Sequence, residues 1–151
     1  MNTKLVFVDS NVLVYRFRLQ SPFHRAATFR MNELRGTGYR FCISSQSVRE
    51  CLAAMTRLGP ESIPVSPQHA AAFGSRLLKD FTHLTDDFGT SEKLLELTAA
   101  YSVIGRQVHD ACIVATMLTH GVSRLLTHNT GDFARYSQLI EVLALNDQPK
   151  I

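Results

Sequence analysis

Four acidic residues stand just after a predicted strand or near the start of a predicted helix. They are Asp9, Glu50, Asp110 and Asp132. Carboxylates that converge without basic neighbours repel one another, and a hard divalent cation with oxygen ligands relieves that repulsion. Mg²⁺ takes only a few carboxylates and keeps several waters, so one or two such ions would suit hydrolysis of a phosphodiester bond. We therefore treat all four residues as candidate metal ligands and catalytic residues.

Asp9 ends the apolar run of residues 5–8. Four apolar residues without polar alternation predict a strand buried on both faces, as in a parallel sheet that is covered by helices. Ligands of open α/β sheets bind beyond the carboxyl ends of the strands, which makes Asp9 a candidate site residue. The alternative is that Asp9, Ser10 or Asn11 only caps the following helix.

Glu50 and Asp110 stand near the beginnings of two predicted helices. At helical spacing Glu50 points away from the apolar stripe of its helix, towards solvent or a cleft, and a solvated surface glutamate is the alternative to a site role. Asp110 opens a helix that is apolar on nearly every side, so its carboxylate needs a cation, hydrogen-bond donors or a proton. An ion pair with Arg106, one turn earlier, is the alternative for Asp110.

A polar segment at residues 127–133 supplies further oxygen-bearing side chains. We expect a loop here, in which Gly131 allows a tight bend that brings Asn129 and Asp132 to a common point. Thr127 adds a hydroxyl group to the same segment. An ordinary polar turn is the alternative for this segment.

Predicted strands and helices alternate along nearly the whole chain, which predicts an α/β/α sandwich with a mostly parallel central sheet. The predicted strands are 5–8, 41–43, 83–84, 124–127 and 139–143, and the predicted helices are 12–17, 22–36, 46–57, 68–79, 91–100 and 106–118. Gly59 and Pro60 are expected to close the third helix, and the tail at 146–151 is expected to fray or to contact a second copy. In such a sheet all four acidic positions fall at the same edge.

The composition predicts a single domain over residues 1–151, because the chain has 151 residues and is 45% hydrophobic. Three cysteines without a CxxC pair suit reduced, buried thiols in a cytoplasmic protein. No signal-peptide pattern or long apolar segment is present, so we expect no membrane association. The six histidines form no metal-spaced pair with cysteine, which disfavours a zinc site.

Positive charge is concentrated in the first part of the chain. Residues 1–60 contain nine Lys and Arg against three acids, whereas residues 61–151 contain seven against ten. A basic half of this kind predicts contact with phosphate groups, and a solvated arginine-rich surface is the alternative.

Four segments of the sequence resemble the motifs of the PIN-domain family in order and spacing. They are residues 8–13, 47–50, 109–115 and 126–133. The resemblance extends over nearly the whole chain, and the chain length is similar to that of the stand-alone VapC-type toxins of bacterial toxin–antitoxin pairs. It implies a Mg²⁺- or Mn²⁺-dependent endoribonuclease that forms a homodimer and is inhibited by an antitoxin protein bound in its cleft.

The resemblance also implies roles for individual residues. It assigns the acidic set to Asp9, Glu50, Asp110 and Asp132. Because Asn129 stands where the family often has an aspartate, the resemblance leaves open whether Asn129 or Asp132 completes the site. Asn11 and Thr127 correspond to positions that orient the carboxylates.

Two other functions are compatible with an aspartate after the first strand. An aspartate-dependent phosphatase would want a second aspartate two residues later, where this chain has Asn11. A non-catalytic module that binds RNA or protein could use the same fold, but its usual mark would be the loss of one or more acids, and none is missing here. The chain has neither a glycine-rich phosphate loop nor a Gly-x-Ser-x-Gly motif.

Overall fold

The computed structural model describes residues 4–58 and 63–146. Five strands in this part of the chain form one sheet in the order β3-β2-β1-β4-β5, and every neighbouring pair is parallel. The strands are β1 (Leu5–Val8), β2 (Arg40–Ser44), β3 (Thr82–Leu84), β4 (Arg124–Leu126) and β5 (Glu141–Leu143). The predicted α/β architecture is confirmed, with a sheet that is wholly parallel in these pairings.

Seven helices connect and cover the strands. They are α1 (Ser10–Phe17), α2 (His24–Gly36), α3 (Ser45–Thr56), α4 (Pro67–Asp80), α5 (Phe88–Ala100), α6 (Gln107–Thr119) and α7 (Thr130–Phe133). A 3₁₀ turn at Ala134–Tyr136 follows α7 directly. No helix within 4–58 and 63–146 is long and apolar enough to cross a bilayer.

The sheet separates two apolar cores, and β1 contributes to both. Leu5 and Phe7 pack into one core, which contains the buried side of α6. Val6 and Val8 pack into the other, which contains the buried sides of α1, α2 and α3. All four side chains are buried, as the unbroken apolar run predicts.

The segment at 127–133 differs from the predicted loop. Residues Thr130–Phe133 form a helical turn, in which Gly131 does not have the positive φ that a tight glycine bend would use. The backbone N–H of Asp132 donates to the carbonyl of Asn129 at 3.1 Å, and Phe133 is buried in the core. Burial of Phe133 therefore favours a short helix over an open turn.

Several element boundaries also differ from prediction. The second helix begins at His24, because the His24 N–H donates to the carbonyl of Ser21 and closes a turn that leaves Pro22 outside the helix. The fifth begins at Phe88 rather than Ser91, because Asp87 and Thr90 form a capping box.

The last strand is shorter than predicted. The N–H groups of Leu139 and Ile140 both donate to the carbonyl of Tyr136, so pairing with β4 begins only at Glu141. The predicted helix end at residues 59–60 and the tail at 147–151 lie outside the described residues.

Candidate functional site

Asp9 lies at the carboxyl end of β1 and is held by donors from two directions. The Thr127 hydroxyl donates to its Oδ2 at 2.8 Å, and the Ser10 N–H donates to its Oδ1 at 2.8 Å. The first bond forms because β1 and β4 are neighbours in register, with Val8 opposite Leu126. Asp9 is also the N-cap of α1, so the residue that was proposed as a site residue caps the helix as well. Only 6% of Asp9 is exposed.

Glu50 is half-buried in the second turn of α3 and is fixed by two side chains. The Ser10 hydroxyl donates to its Oε2 and the Gln46 amide to its Oε1, both at 2.8 Å. The same Gln46 amide nitrogen donates to the carbonyl of His109 at 2.8 Å. These bonds join the first turns of α1, α3 and α6, and they place Glu50 next to the cleft rather than in open solvent.

Asp110 is half-buried in the first turn of α6. Its pKa is raised to about 6, chiefly by burial and then by the negative charges of Asp9, Asp132 and Glu50, in that order. Its predicted alternative partner, Arg106, forms no ion pair with it in the described part of the chain. The carboxylate is therefore partly desolvated and forms no ion pair with the described residues.

The pKa of Asp9 is also raised to about 6, chiefly by burial. The Thr127 hydrogen bond lowers this pKa, and the charge of Glu50 raises it. Smaller effects come from the Ser10 N–H, which lowers it, and from Asp132, which raises it. The four acids thus interact electrostatically at one edge of the sheet, and within 4–58 and 63–146 no Lys or Arg pairs with any of them.

The two candidates for the last acidic position lie in different surroundings. Asp132 is exposed on α7 and lines a cavity of about 180 Å³ together with Asp110. Asn129 is the residue before α7, and its N–H donates to Oγ1 of Thr127 at 3.0 Å. The structure therefore groups Asp132 with the other acids, while Asn129 supports the residue that holds Asp9.

Asn11 contacts the loop after β4 rather than a carboxylate. Its Oδ1 accepts from the N–H of His128 at 3.4 Å. Thr127 thus donates to a carboxylate of the predicted set, whereas Asn11 links the start of α1 to the neighbouring loop.

The chemistry of the donor set fits a hard divalent cation. The available ligands are carboxylate oxygens that form no ion pair within 4–58 and 63–146, and two of these carboxylates have raised pKa values. Among the described residues, no three His, Cys, Asp or Glu side chains are already close enough together to enclose a metal ion. Binding of a cation would therefore require the acids to approach one another, and the charge of the cation would offset their mutual repulsion.

Comparison with known proteins bears on this arrangement. The sequence model of the PIN-domain family matches residues 6–139 of this chain, a range that includes all four acids. The chain belongs to the PIN-domain family. A search of curated proteins finds no sequence similar to this one.

Solved structures with the same fold include complexes of bacterial toxin–antitoxin systems. VapBC2 from Rickettsia felis, bound to a DNA fragment from its promoter, matches at a TM-score of 0.68 and 16% identity over 93% of this chain and 98% of that chain. A toxin–antitoxin complex from Klebsiella pneumoniae matches at 0.66 and 21% identity over 95% and 99%. The Mycobacterium tuberculosis toxin VapC20, described as cleaving the sarcin-ricin loop, matches at 0.67 and 15% identity over 91% and 98%.

Two polar residues of this PIN domain were not predicted as site residues. Ser10 was considered only as a helix cap, yet its hydroxyl and N–H contact two different acids. Gln46 is buried one helical turn before Glu50, a spacing at which side chains meet. That spacing could have identified Gln46 from the sequence, whereas its bond to the His109 carbonyl depends on how α3 and α6 pack.

The basic first half of this PIN domain is only partly available to a ligand. Arg18 donates to the carbonyls of Ile63 and Met55 at 2.9 and 3.3 Å, and Arg30 donates to the carbonyl of Ala144 at 3.1 Å. Lys4 and Arg35 stack on aromatic rings at the amino ends of the strands, at the edge opposite the acids. Several of the basic residues that were expected to contact phosphate groups therefore have structural roles instead.

The remaining histidines and cysteines contribute packing near the site. The His128 ring lies 4.3 Å from the Phe23 ring and 5.3 Å from the Tyr15 ring, so it helps to hold the loop before α2. Cys42 and Cys51 are buried free thiols, as expected. Cys112 is only half-buried and its thiol contacts Asp86, which differs from the prediction of three buried thiols.

Proposed function

We propose that this protein is a Mg²⁺- or Mn²⁺-dependent endoribonuclease. The observation that carries the proposal is the placement of the four acids at one edge of the parallel sheet, at the end of β1 and on α3, α6 and α7. Burial and the neighbouring charges raise the pKa values of Asp9 and Asp110 there to about 6. An uncompensated cluster of this kind stores electrostatic repulsion that a bound divalent cation would relieve. Its place beyond the carboxyl ends of parallel strands is where such folds bind ligands.

The four acids would hold one or two cations. A bound divalent ion would supply polarisation of the phosphoryl oxygen and a lowered pKa for an attacking water. Thr127 and Ser10 would keep the two oxygens of Asp9 in place, and Gln46 would keep Oε1 of Glu50 directed into the cleft. Oriented ligands of this kind reduce the reorganisation that metal binding requires.

RNA is the proposed substrate class on the strength of the family. Nucleic acids bring a negatively charged backbone, and several exposed arginines lie outside the packed core. The structural neighbour from Mycobacterium tuberculosis is described as acting on an RNA loop, which supports RNA over other phosphodiesters.

The test is cleavage of RNA by the purified protein with EDTA, Mg²⁺ or Mn²⁺. We expect cleavage with either metal, none in EDTA, and none for Asp9→Asn or Asp110→Asn. Asp80→Asn is the matched control, because Asp80 is an exposed aspartate at the end of α4, remote from the cluster. Circular dichroism should show that all three variants fold. Full activity in either site variant, or in EDTA, would refute the proposed chemistry.

We further propose that the protein is the toxin of a cytoplasmic toxin–antitoxin pair and acts as a homodimer. Its structural neighbours include such complexes, which supports an antitoxin partner. Exposed apolar side chains on α5 and in the loop after it, including Phe88, Leu95 and Ile104, support an interface with a second copy. Co-expression with the product of a small adjacent reading frame should yield a complex that does not cut RNA. Sedimentation of the free protein as a monomer would contradict the homodimer.

A further inference from the structure

A cavity of about 380 Å³ lies between α3, α5 and α6 and borders one of the four acids. The residues that line it include Arg49, Glu50 and Ala53 of α3, Leu94 of α5, and Val108 and His109 of α6. This volume falls within the roughly 300–1,000 Å³ that small-ligand sites occupy. Because Glu50 is part of the lining, a ligand in this cavity would lie beside the acidic cluster.

The lining of this cavity combines apolar and polar groups. Ala53, Leu94 and Val108 contribute methyl groups. Arg49 and His109 are exposed residues, and they contribute a guanidinium and an imidazole ring. A ligand with a flat apolar part and an anionic part would use both kinds of group.

Arg49 brings a positive charge that no acid of the protein pairs with in the described ranges, 4–58 and 63–146. Its charge acts inside the cavity, on the thiol of Cys112, which also belongs to the lining. Burial and Asp86 raise the pKa of that thiol, and the charge of Arg49 lowers it. Arg18 and Arg30 of the same basic half bond backbone carbonyls, whereas the donors of Arg49 are available to an anion.

Gln46 joins the two helices that form most of the cavity. Its amide nitrogen donates to Oε1 of Glu50 and to the carbonyl of His109, both at 2.8 Å. Gln46 is itself buried, so these bonds are shielded from solvent. They hold α3 against α6 without any ligand, and a preformed cavity lowers the free-energy cost of binding.

We propose that this cavity binds the nucleotide next to the linkage that is cut, with Arg49 on its phosphate and the apolar side chains against its base. A phosphate offers a negative charge and several acceptor oxygens, which a guanidinium matches in geometry. A base offers a flat face that gains from leaving water. This inference rests on the proposed nuclease function and extends it to where the RNA lies.

The experiment measures binding rather than cleavage. Fluorescence anisotropy is read at several salt concentrations with two labelled probes, a short single-stranded RNA of mixed sequence and a ribose–phosphate chain of the same length that lacks all bases. Glu50 would repel a phosphate while its charge is uncompensated, so a divalent cation is present throughout. Ca²⁺ replaces Mg²⁺ for this purpose, and a gel verifies that the RNA stays intact.

The variants test the phosphate contact and the base contact separately. Arg49→Gln removes the charge, Arg49→Lys keeps it, and Ala53→Leu fills part of the cavity from an exposed helix position without changing charge. Arg40→Gln is the control for charge, because Arg40 is an exposed arginine that begins β2 at the opposite edge of the sheet. Ala71→Leu is the control for size, because Ala71 is exposed on α4 and lies outside the cavity.

We expect Arg49→Gln to weaken the binding of both probes about tenfold, because a charge-assisted contact is lost. It should also reduce the slope of log affinity against log salt by about 0.7, the value for one contact to a single strand. Arg49→Lys should keep the wild-type slope and lose about threefold in affinity, because an ammonium replaces the planar fork of donors. Arg40→Gln should match wild type with both probes.

We expect Ala53→Leu to weaken the binding of the RNA about fivefold, because the added side chain occupies space that the base requires. The probe without bases should bind this variant as it binds wild type. Ala71→Leu should match wild type with both probes. All variants should keep the wild-type thermal midpoint, since the substituted residues are exposed.

The failures of the two proposals give different results. An unchanged salt slope in Arg49→Gln, with a wild type that binds and cuts RNA, overturns the phosphate contact and leaves the nuclease function intact. An Ala53→Leu variant that binds RNA like wild type, or that loses both probes equally, overturns the placement of the base. A lowered thermal midpoint in Arg49→Gln overturns the binding role of Arg49, since the loss would then come from the fold. A wild type that neither binds nor cuts RNA refutes the nuclease function and the nucleotide site with it.

Discussion

The hydroxyl of Thr127 donates a 2.8 Å hydrogen bond to Oδ2 of Asp9 across 118 positions of sequence. Both residues are buried at the carboxyl ends of adjacent strands. Burial raises the pKa of Asp9 and this bond lowers it, so Thr127 keeps the carboxylate easier to ionise than its surroundings alone would allow. The neutral side chain of Thr127 therefore favours the charged form of Asp9, which is the form that would bind a cation.

Thr127→Val should shift the pH dependence of cleavage. Valine keeps the shape of threonine but removes the donor, so the pKa of Asp9 rises and activity requires a higher pH. The free energy of unfolding should fall by about 1 kcal/mol at neutral pH, where a buried carboxylate loses a partner. Thr127→Ser retains the hydroxyl and should keep the wild-type profile. Identical pH profiles for the valine and serine variants would contradict this role.

Stability of the metal-free protein should decrease as pH rises from about 4 to about 6. Folded Asp9 and Asp110 have pKa values of about 6, above the ordinary aspartate value of 3.8, so the folded state binds more protons than the unfolded state in this window. The contribution of Asp9 to this loss is about 3 kcal/mol, and that of the half-exposed Asp110 is smaller.

This pH effect can be measured by denaturant unfolding in EDTA at several pH values. Asp9→Asn should flatten the dependence and raise stability at pH 7, because an amide carries no charge to bury. Asp80→Asn should retain the wild-type slope. A metal-free protein that is most stable above pH 7 would be inconsistent with the raised pKa values.

Mg²⁺ should raise the thermal midpoint of the wild type at neutral pH. A cation that binds only the folded protein stabilises it by about 2.7 kcal/mol at one hundred times its dissociation constant. Asp9→Asn and Asp110→Asn should show little shift, whereas Asp80→Asn should respond fully. Differential scanning fluorimetry with NaCl at matched ionic strength controls for general screening. Equal shifts in all four proteins would argue against a cation at the acidic cluster.

Gln46→Ala should weaken the connection between α3 and α6. Its amide bonds both Glu50 and the His109 carbonyl, so the substitution should cost about 1–2 kcal/mol of unfolding free energy and reduce cation affinity. Gln68→Ala removes an exposed glutamine from the first turn of α4 and should change neither quantity. Calorimetric titration with Mn²⁺ would reveal the difference. Wild-type affinity in Gln46→Ala would show that Glu50 is held by Ser10 alone.

Much of the scaffold can be predicted from local patterns. The apolar run at 5–8 predicts a strand buried on both faces, and Asp9 follows it in the structure as expected. The apolar helix after Asp110 predicts a desolvated carboxylate, and burial is indeed the main cause of its raised pKa. These predictions succeed because burial of a segment is encoded in its own composition and period.

Other features depend on which elements become neighbours. The bond between Thr127 and Asp9 requires β4 to lie beside β1, and Gln46 reaches His109 only because α3 and α6 meet at the same edge. Charge counting places most basic residues in the first half of the chain. In the structure, Arg49 of the first half lines a cavity with Glu50, and Arg135 of the second half lines another with Asp110 and Asp132.

The sequence by itself determined the alternation of strands and helices and the positions of the four acids at element ends. Only the tertiary structure decided that Asp132, on the short helix α7, lies near the other acids. It also decided that Ser10 and Gln46 hold Glu50. Arg18 and Arg30 donate hydrogen bonds to backbone carbonyl groups, which the sequence does not indicate. The physical reason is that the spacing of apolar residues, which determines helices and strands, is a local property of a few neighbouring residues. Hydrogen bonds and charge interactions at this site join residues that are dozens of positions apart, and strand order and helix packing bring them together.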